Sequence, residues 1–199
     1  MEWSHYYYKL TADIDLSGKS WDIRNFCGVI DGDGHSIKNY TTTGYARNFG
    51  LICELYGGII NVNMENAFVM VNNSTDVDMM AGMFAVWNRG LIKNCTIDKN
   101  TVISVTGMVD AYIGGFAGRN DGTIENCTNN ANVSASIRYG AIALDGNGTI
   151  KNCVNNGDIS CGASYGIAAS GTIQDCINNG SFKNCGVAYG IAGRGTIRN

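Results

Sequence analysis

One short phrase recurs along the chain and fixes what it can fold into. It reads "GTIENCTNNA" from Gly122, "GTIKNCVNNG" from Gly148 and "GTIQDCINNG" from Gly171, after "GLIKNCTIDK" from Gly90 and before a closing "GTIRN". Its cysteines Cys95, Cys127, Cys153 and Cys176 stand 32, 26 and 23 residues apart. Upstream, "GGIINVNM" puts Val62 in the same column, "HSIKNYTT" puts Tyr40 there, and Ile14 precedes Ile37 by 23 residues. A second column runs through Gly50, Gly82, Gly114, Gly140, Gly166 and Gly190, and a third holds Val133, Ile159 and Phe182. Self-similarity at such a period marks a solenoid, in which each repeat buries its apolar face against the next.

The punctuation excludes helical repeats. Runs such as "TIKNCVN" and "YGIAA" are broken by "NNG", "DGNG" or "SG", which leaves room for strands but not for helices. The 27 glycines supply tight turns, and the absence of proline leaves the backbone N–H groups free for a ladder. The chain is therefore expected to be all-β: one single-stranded parallel β-helix over 1–199, right-handed, of about seven turns of 22–26 residues. Residues 1–12 are expected to cap the first turn and 122–199 to hold the regular repeats. Two stretches, about 64–80 and 97–113, exceed a turn and are expected to leave the rod as loops. Ile92, Ile124, Ile150, Ile173 and Ile197 should form an aliphatic ladder inside the rod, with Lys93, Glu125 and Lys151 facing water. Asn94, Asn126 and Asn152 should stack as amides where the strand bends. Cys95, Cys127, Cys153 and Cys176 should return to the interior as small apolar side chains.

Composition narrows the partners. Lys+Arg total 14 against 17 Asp+Glu, with no basic block, so nucleic acid is not an expected partner. The longest apolar run, "MMAGMFAVW" from Met79, is too short for a membrane helix, and "MEWSHYYYKL" is not a signal peptide. The eight cysteines include no C-x-x-C pair and there are two histidines, which disfavours a zinc site.

"YKLTADIDLSGKSW", "FCGVIDGDGHSIKNY" and "NFGLICELYGGIINVNMENA" together resemble the opening of bacterial surface proteins with GLUG repeats. Gly115-Phe116-Ala117-Gly118 and Gly190-Ile191-Ala192-Gly193 match that repeat's glycine–apolar–apolar–glycine core in full. The resemblance covers most of the chain from Tyr8. It implies a β-solenoid stalk or adhesin-like region of a larger secreted or wall-attached protein, its signal peptide outside this chain, and it carries over no catalytic residue.

Asp31 and Asp33 of "DGDGH", and Asp13 and Asp15 of "DIDLSG", imitate the start of a calcium loop, but the residues at its twelfth position are Thr42 and Arg24 rather than Glu. Calcium is thus a weak candidate, and no other cofactor is expected. No column gathers the paired acids that a polysaccharide lyase or hydrolase needs, so catalysis is a secondary reading beside a phage tail-spike segment. The best case for binding is aromatic. Trp3, Tyr6, Tyr7 and Tyr8 could stack on a glycan or contact a surface protein, and Tyr139, Tyr165 and Tyr189 recur at the repeat period. The expected assembly is a monomer or end-to-end stacking through the open last turn.

Overall fold

The computed structural model describes residues 6–21, 23–44, 48–73, 79–107, 111–135 and 138–198. Within them the chain coils through five faces per turn, and each strand pairs in parallel with its counterpart one turn away. The longest face stacks eight strands, from Tyr7–Lys9 to Thr196–Arg198. At about 4.8 Å per strand that rod is roughly 34 Å long.

The isoleucine column on this face organises the core. Tyr8, Ile30, Ile59, Ile92, Ile124, Ile150, Ile173 and Ile197 stack in register. From Ile59 to Ile150 these side chains are fully buried. Ile197 keeps the register but is 53% exposed, because no turn covers it; its expected interior position holds for the column and not for its burial. One residue further on, the side chains face out, and Glu125 lies between Lys93 at 3.6 Å and Lys151 at 3.4 Å.

The next residue makes the corner. Asn61, Asn94, Asn126, Asn152 and Asp175 all adopt left-handed backbone, with φ between 49° and 55°. A short polar side chain tolerates that conformation where most residues resist it. Here it also stacks: Asn94 Nδ2 donates to Asn61 Oδ1 at 3.0 Å and Asn126 Nδ2 to Asn94 Oδ1 at 3.2 Å. The cysteines then turn inward. Cys95, Cys127 and Cys153 are fully buried, and each thiol donates to the carbonyl two residues earlier at 3.2–3.3 Å. All eight cysteines are free thiols.

A deeper amide ladder follows in the "NNG" turns. Asn129 Nδ2 donates to Asn155 Oδ1 at 2.9 Å and Asn155 Nδ2 to Asn178 Oδ1 at 2.8 Å. Asn129 and Asn155 are fully buried, which is tolerable because amide bonds to neighbouring turns and to their own turn satisfy them. The glycine–apolar–apolar–glycine words form the bend between the fourth and fifth faces. There Phe84 and Phe116 stack at 5.2 Å inside the rod, while a Cβ at Gly115 would sit 2.1 Å from the Ala141 carbonyl oxygen. Only glycine fits so close an approach.

Three expectations of the sequence need correction. Tyr40 does not join the cysteine column. Ile37 pairs with Ile14 and Met64 on the second face, whereas Ile59 stacks on Ile30, so "IKNY" occupies the next corner, where Asn39 has φ 59°. The two long turns do not simply leave the rod as loops. Phe68–Asn73 and Val102–Gly107 are six-residue strands paired with each other along their whole length, and Met79–Gly82 pairs with Ala111–Gly114. Alternating β-branched and aromatic residues such as Phe68, Val69, Val102 and Ile103 favour that pairing. Residues 74–78 and 108–110 of the proposed loops lie outside the described residues.

The tyrosine column is also split. Gly140 pairs with Tyr165, not Gly166, so Tyr139 stacks on Ile113 and Ser164 and points inward. Tyr165 and Tyr189 share the outward column, their rings parallel at 5.1 Å. A one-residue slip exchanges the two faces of a strand. Tyr139 is fully buried, its hydroxyl without a well-formed hydrogen bond, and burial raises its pKa.

The ladder makes a graded prediction. Ile150→Asp places a carboxylate in a fully covered column and should cost more than about 3 kcal/mol in a denaturant or thermal melt. Ile197→Asp, in the same column but exposed, should change stability by less than about 0.5 kcal/mol. Equal effects at the two positions would contradict the observed register.

Candidate functional site

Two regions of the first turns carry chemistry-bearing side chains, and the structure treats them differently. In the acidic turns every candidate cation ligand is already engaged. Asp31 accepts from the Tyr7 hydroxyl, from Asp33 N at 2.9 Å and from Asn61 Nδ2 at 2.9 Å. Asp13 accepts from Lys38 Nζ at 2.7 Å and Ser36 N at 3.0 Å, with His35 Nδ1 at 3.3 Å. Asp15 accepts from Asn39 Nδ2 at 2.8 Å and from Ser17, and Asp33 pairs with Lys9 at 2.8 Å. Asp33 itself has φ 49°, and "DGDGH" turns the corner one turn below Asn61 with two residues more than the asparagine corner above it. Among the described residues no three His, Cys, Asp or Glu side chains group around a common point.

These donors hold the carboxyls low. Lys38 first, then Ser36, lowers Asp13 to about 2; Asn39 and Ser17 lower Asp15 to about 2. Tyr7, Asp33 N–H and Asn61 do the same for Asp31, also to about 2, and the Tyr7 hydroxyl is raised in return.

The tyrosines border an open cleft. Tyr6, Tyr7 and Tyr56 line about 320 Å³ together with Cys27, Gly28, Val29 and Gly57. Tyr6 and Tyr7 are about 60% exposed and Tyr56 44%. Tyr8 does something else: it stacks on Ile30 in the inner column with its ring 6.0 Å from Phe26, and so covers the end of the core. Trp3 lies outside the described residues.

The cleft opens onto one corner of the rod, between the fifth and first faces. The residues just ahead of the repeat glycines stand along it: Tyr56, Arg89, Asp121, Asn147, Ser170 and Arg194. Their register follows from the backbone bonds Leu91 N to Gly57 O, Thr123 N to Gly90 O, Thr149 N to Gly122 O, Thr172 N to Gly148 O and Thr196 N to Gly171 O. Trp87, on the adjacent strand, is held at the centre. The Arg89 guanidinium lies 3.6 Å from its ring centre and the Arg119 guanidinium 4.8 Å, each a cation–π contact. Trp87 Nε1 and Arg119 Nε both donate to Asp121 Oδ2, at 2.8 and 2.9 Å. Burial opposes ionisation of Asp121, but those two donors and Asn147 N–H outweigh it and its pKa is lowered. Arg89 also reaches Glu54, which accepts from the Tyr56 hydroxyl at 2.6 Å. The strip is thus aromatic, rigid and nearly charge-balanced.

Sequence reasoning named Tyr6, Tyr7 and Tyr8 but missed Tyr56, Trp87, Arg89 and Arg119. The available signal was positional: each residue ahead of a repeat glycine projects at the same corner. The buried thiols offer no chemistry here. Burial raises the pKa of Cys161 to about 11, and that of Cys127 well above the usual thiol value.

A parallel β-solenoid that carries the GLUG motif is the class this fold and sequence define: residues 110–134 match the GLUG motif family. Over 120 residues, half of the chain, the sequence is 36% identical to halomucin of Haloquadratum walsbyi, and spans about 1% of that protein's length. The fold is similar to that of a crystal structure of a candidate immunoglobulin A1 protease from Bacteroides ovatus. The TM-score is 0.60 at 20% identity, over 96% of this chain and 78% of the other. That likeness is one of fold.

The depressed carboxyls set an acid dependence. Asp13, Asp15 and Asp31 bind protons less readily folded than unfolded, where an aspartate titrates near 3.9. Their contribution is therefore complete above about pH 4 and lost as pH falls towards about 2. Melting temperature should drop across that window, and the drop should shrink in Asp13→Asn and Asp31→Asn. An unchanged acid limb in both variants would remove these carboxylates as its cause.

Proposed function

We propose that this chain is a non-catalytic structural and adhesive module of a bacterial surface or secreted protein, and that it holds glycan at the tyrosine cleft. The observation that carries the reading is the cleft of Tyr6, Tyr7 and Tyr56, three exposed rings fixed on a continuous stack of strands. Flat aromatic faces bind the apolar faces of sugars, and nearby polar groups orient the hydroxyls. Rings anchored on stacked strands lose little freedom on binding, which favours affinity. Across the faces of the rod, acids pair with cations instead of with each other, as in Lys93–Glu125–Lys151 and Asp13–Lys38–Glu65. That arrangement suits a solvated lattice better than acid–base chemistry. The likeness to halomucin and the GLUG motif support a surface placement, with the binding face on the rod itself as much as on loops.

The test is binding of the purified chain to an array of host and bacterial glycans. A specific hit should weaken about tenfold or more, equivalent to about 1.4 kcal/mol, in the Tyr6→Ala/Tyr56→Ala variant, which keeps the Tyr7–Asp31 bond and should melt close to wild type. A blank array, or a hit indifferent to these substitutions, would leave the rod as a spacer.

A further inference from the structure

The corner that begins at the tyrosine cleft ends in a second cleft of a different character. Asp145, Asn147, Ser170, Thr172, Arg194 and Thr196 border an open cleft of about 430 Å³ towards the other end of the rod. From Gly57 to Gly195 is five strand spacings, roughly 24 Å. We infer that the two clefts are ends of one binding track, so that the glycan is a linear, uncharged polysaccharide lying along the rod axis. This rests on the glycan reading of the tyrosine cleft and gives it a substrate class.

Three observations carry it. First, polar groups in the second cleft are unspent. Among the described residues the Asn147 side chain and the Arg194 guanidinium make no hydrogen bond or ion pair, and Asp145 uses only Oδ1, to accept from Ser170 Oγ at 2.8 Å. In the acidic turns near the N-terminus, by contrast, Asp13 and Asp31 each engage both carboxylate oxygens, with lysine, tyrosine, asparagine and backbone donors. A carboxylate oxygen, an amide and a guanidinium converging on one open cleft offer both acceptors and donors, the complement of sugar hydroxyls.

Second, over the half of the corner that leads into the second cleft a hydroxyl repeats at a constant interval, the same position being Gly58 and Leu91 nearer the tyrosines. Thr123, Thr149, Thr172 and Thr196 are in-register partners one strand apart, so a hydroxyl returns about every 4.8 Å along the edge of the track. A polymer of identical units meets the same group at each step, whereas a protein partner would be expected to seek an apolar centre. Third, the charges along the corner balance. Arg89, Arg119 and Arg194 face Glu54, Asp121 and Asp145, with the Arg89–Glu54 and Arg119–Asp121 pairs formed. The six corner residues themselves thus carry no net charge to select an anionic chain.

Length dependence tests the track. Calorimetric titrations would use size series of β-1,4-linked glucose, mannose and N-acetylglucosamine oligomers. In a binding series, affinity should rise tenfold or more once an oligomer is long enough to reach from Tyr56 to Arg194. The Asn147→Ala/Arg194→Ala variant should lose that rise and still bind short members as wild type does. Both side chains are exposed, so the variant should melt normally. Short-oligomer binding that is lost in the tyrosine variant but never strengthens with length would overturn the track and keep the cleft. A length effect that survives Asn147→Ala/Arg194→Ala would likewise overturn it. Binding to no series would overturn the track, and together with a blank glycan array or binding only to a protein it would overturn the cleft reading as well.

Discussion

The backbone hydrogen bond between one turn and the next is the interaction on which everything else here depends. It sets a spacing of about 4.8 Å and makes each side chain a neighbour of its own copy. A residue type survives in a column only if it tolerates itself above and below. Isoleucine does so by packing, asparagine by passing one amide bond to the next, and threonine on an outer face by keeping its hydroxyl to solvent. A lysine column would repel itself, and the rod interrupts it with Glu125.

The same constraint explains how much could be read from the chain. Where the repeat phrase is intact, from Leu91 onwards, the first-face register follows from counting: Ile92, Ile124, Ile150 and Ile173 stack as the spacing indicates. Counting fails where one word fits two places. "IKN" at Ile37 is built like "IKN" at Ile92, and both make a left-handed asparagine corner, yet they lie at successive corners of the turn. It fails again at Tyr139, where a single residue's difference in turn length inverts the strand. The long third-face strands were hidden by a different cause. Their glycine-poor, β-branched residues could extend a strand or leave it, and pairing partners a turn away decided the matter.

The candidate site was less legible than the core because it is a corner property. Tyr56, Arg89, Asp121, Asn147, Ser170 and Arg194 share no chemistry, so no column of identical residues announces them. What they share is a position ahead of a glycine, and the glycine is required by the backbone: a Cβ at Gly90 would lie 2.0 Å from the Gly57 carbonyl oxygen. The fold therefore conserves the floor of the corner and leaves its flanking residues free to differ from turn to turn. The rod is specified by the columns and its outer chemistry by the residues between them.

Because the rod rests on in-register stacking, nuclear Overhauser contacts among the isoleucine methyls of the folded chain would test it most directly. Ile92 should contact Ile124, Ile124 should contact Ile150, and Ile150 should contact Ile173, with no contact between Ile92 and Ile173 across the skipped turns. That pattern can arise only from successive turns laid one on another. Missing contacts between consecutive isoleucines, or contacts that skip a turn, would contradict the stacked solenoid and every surface built on it.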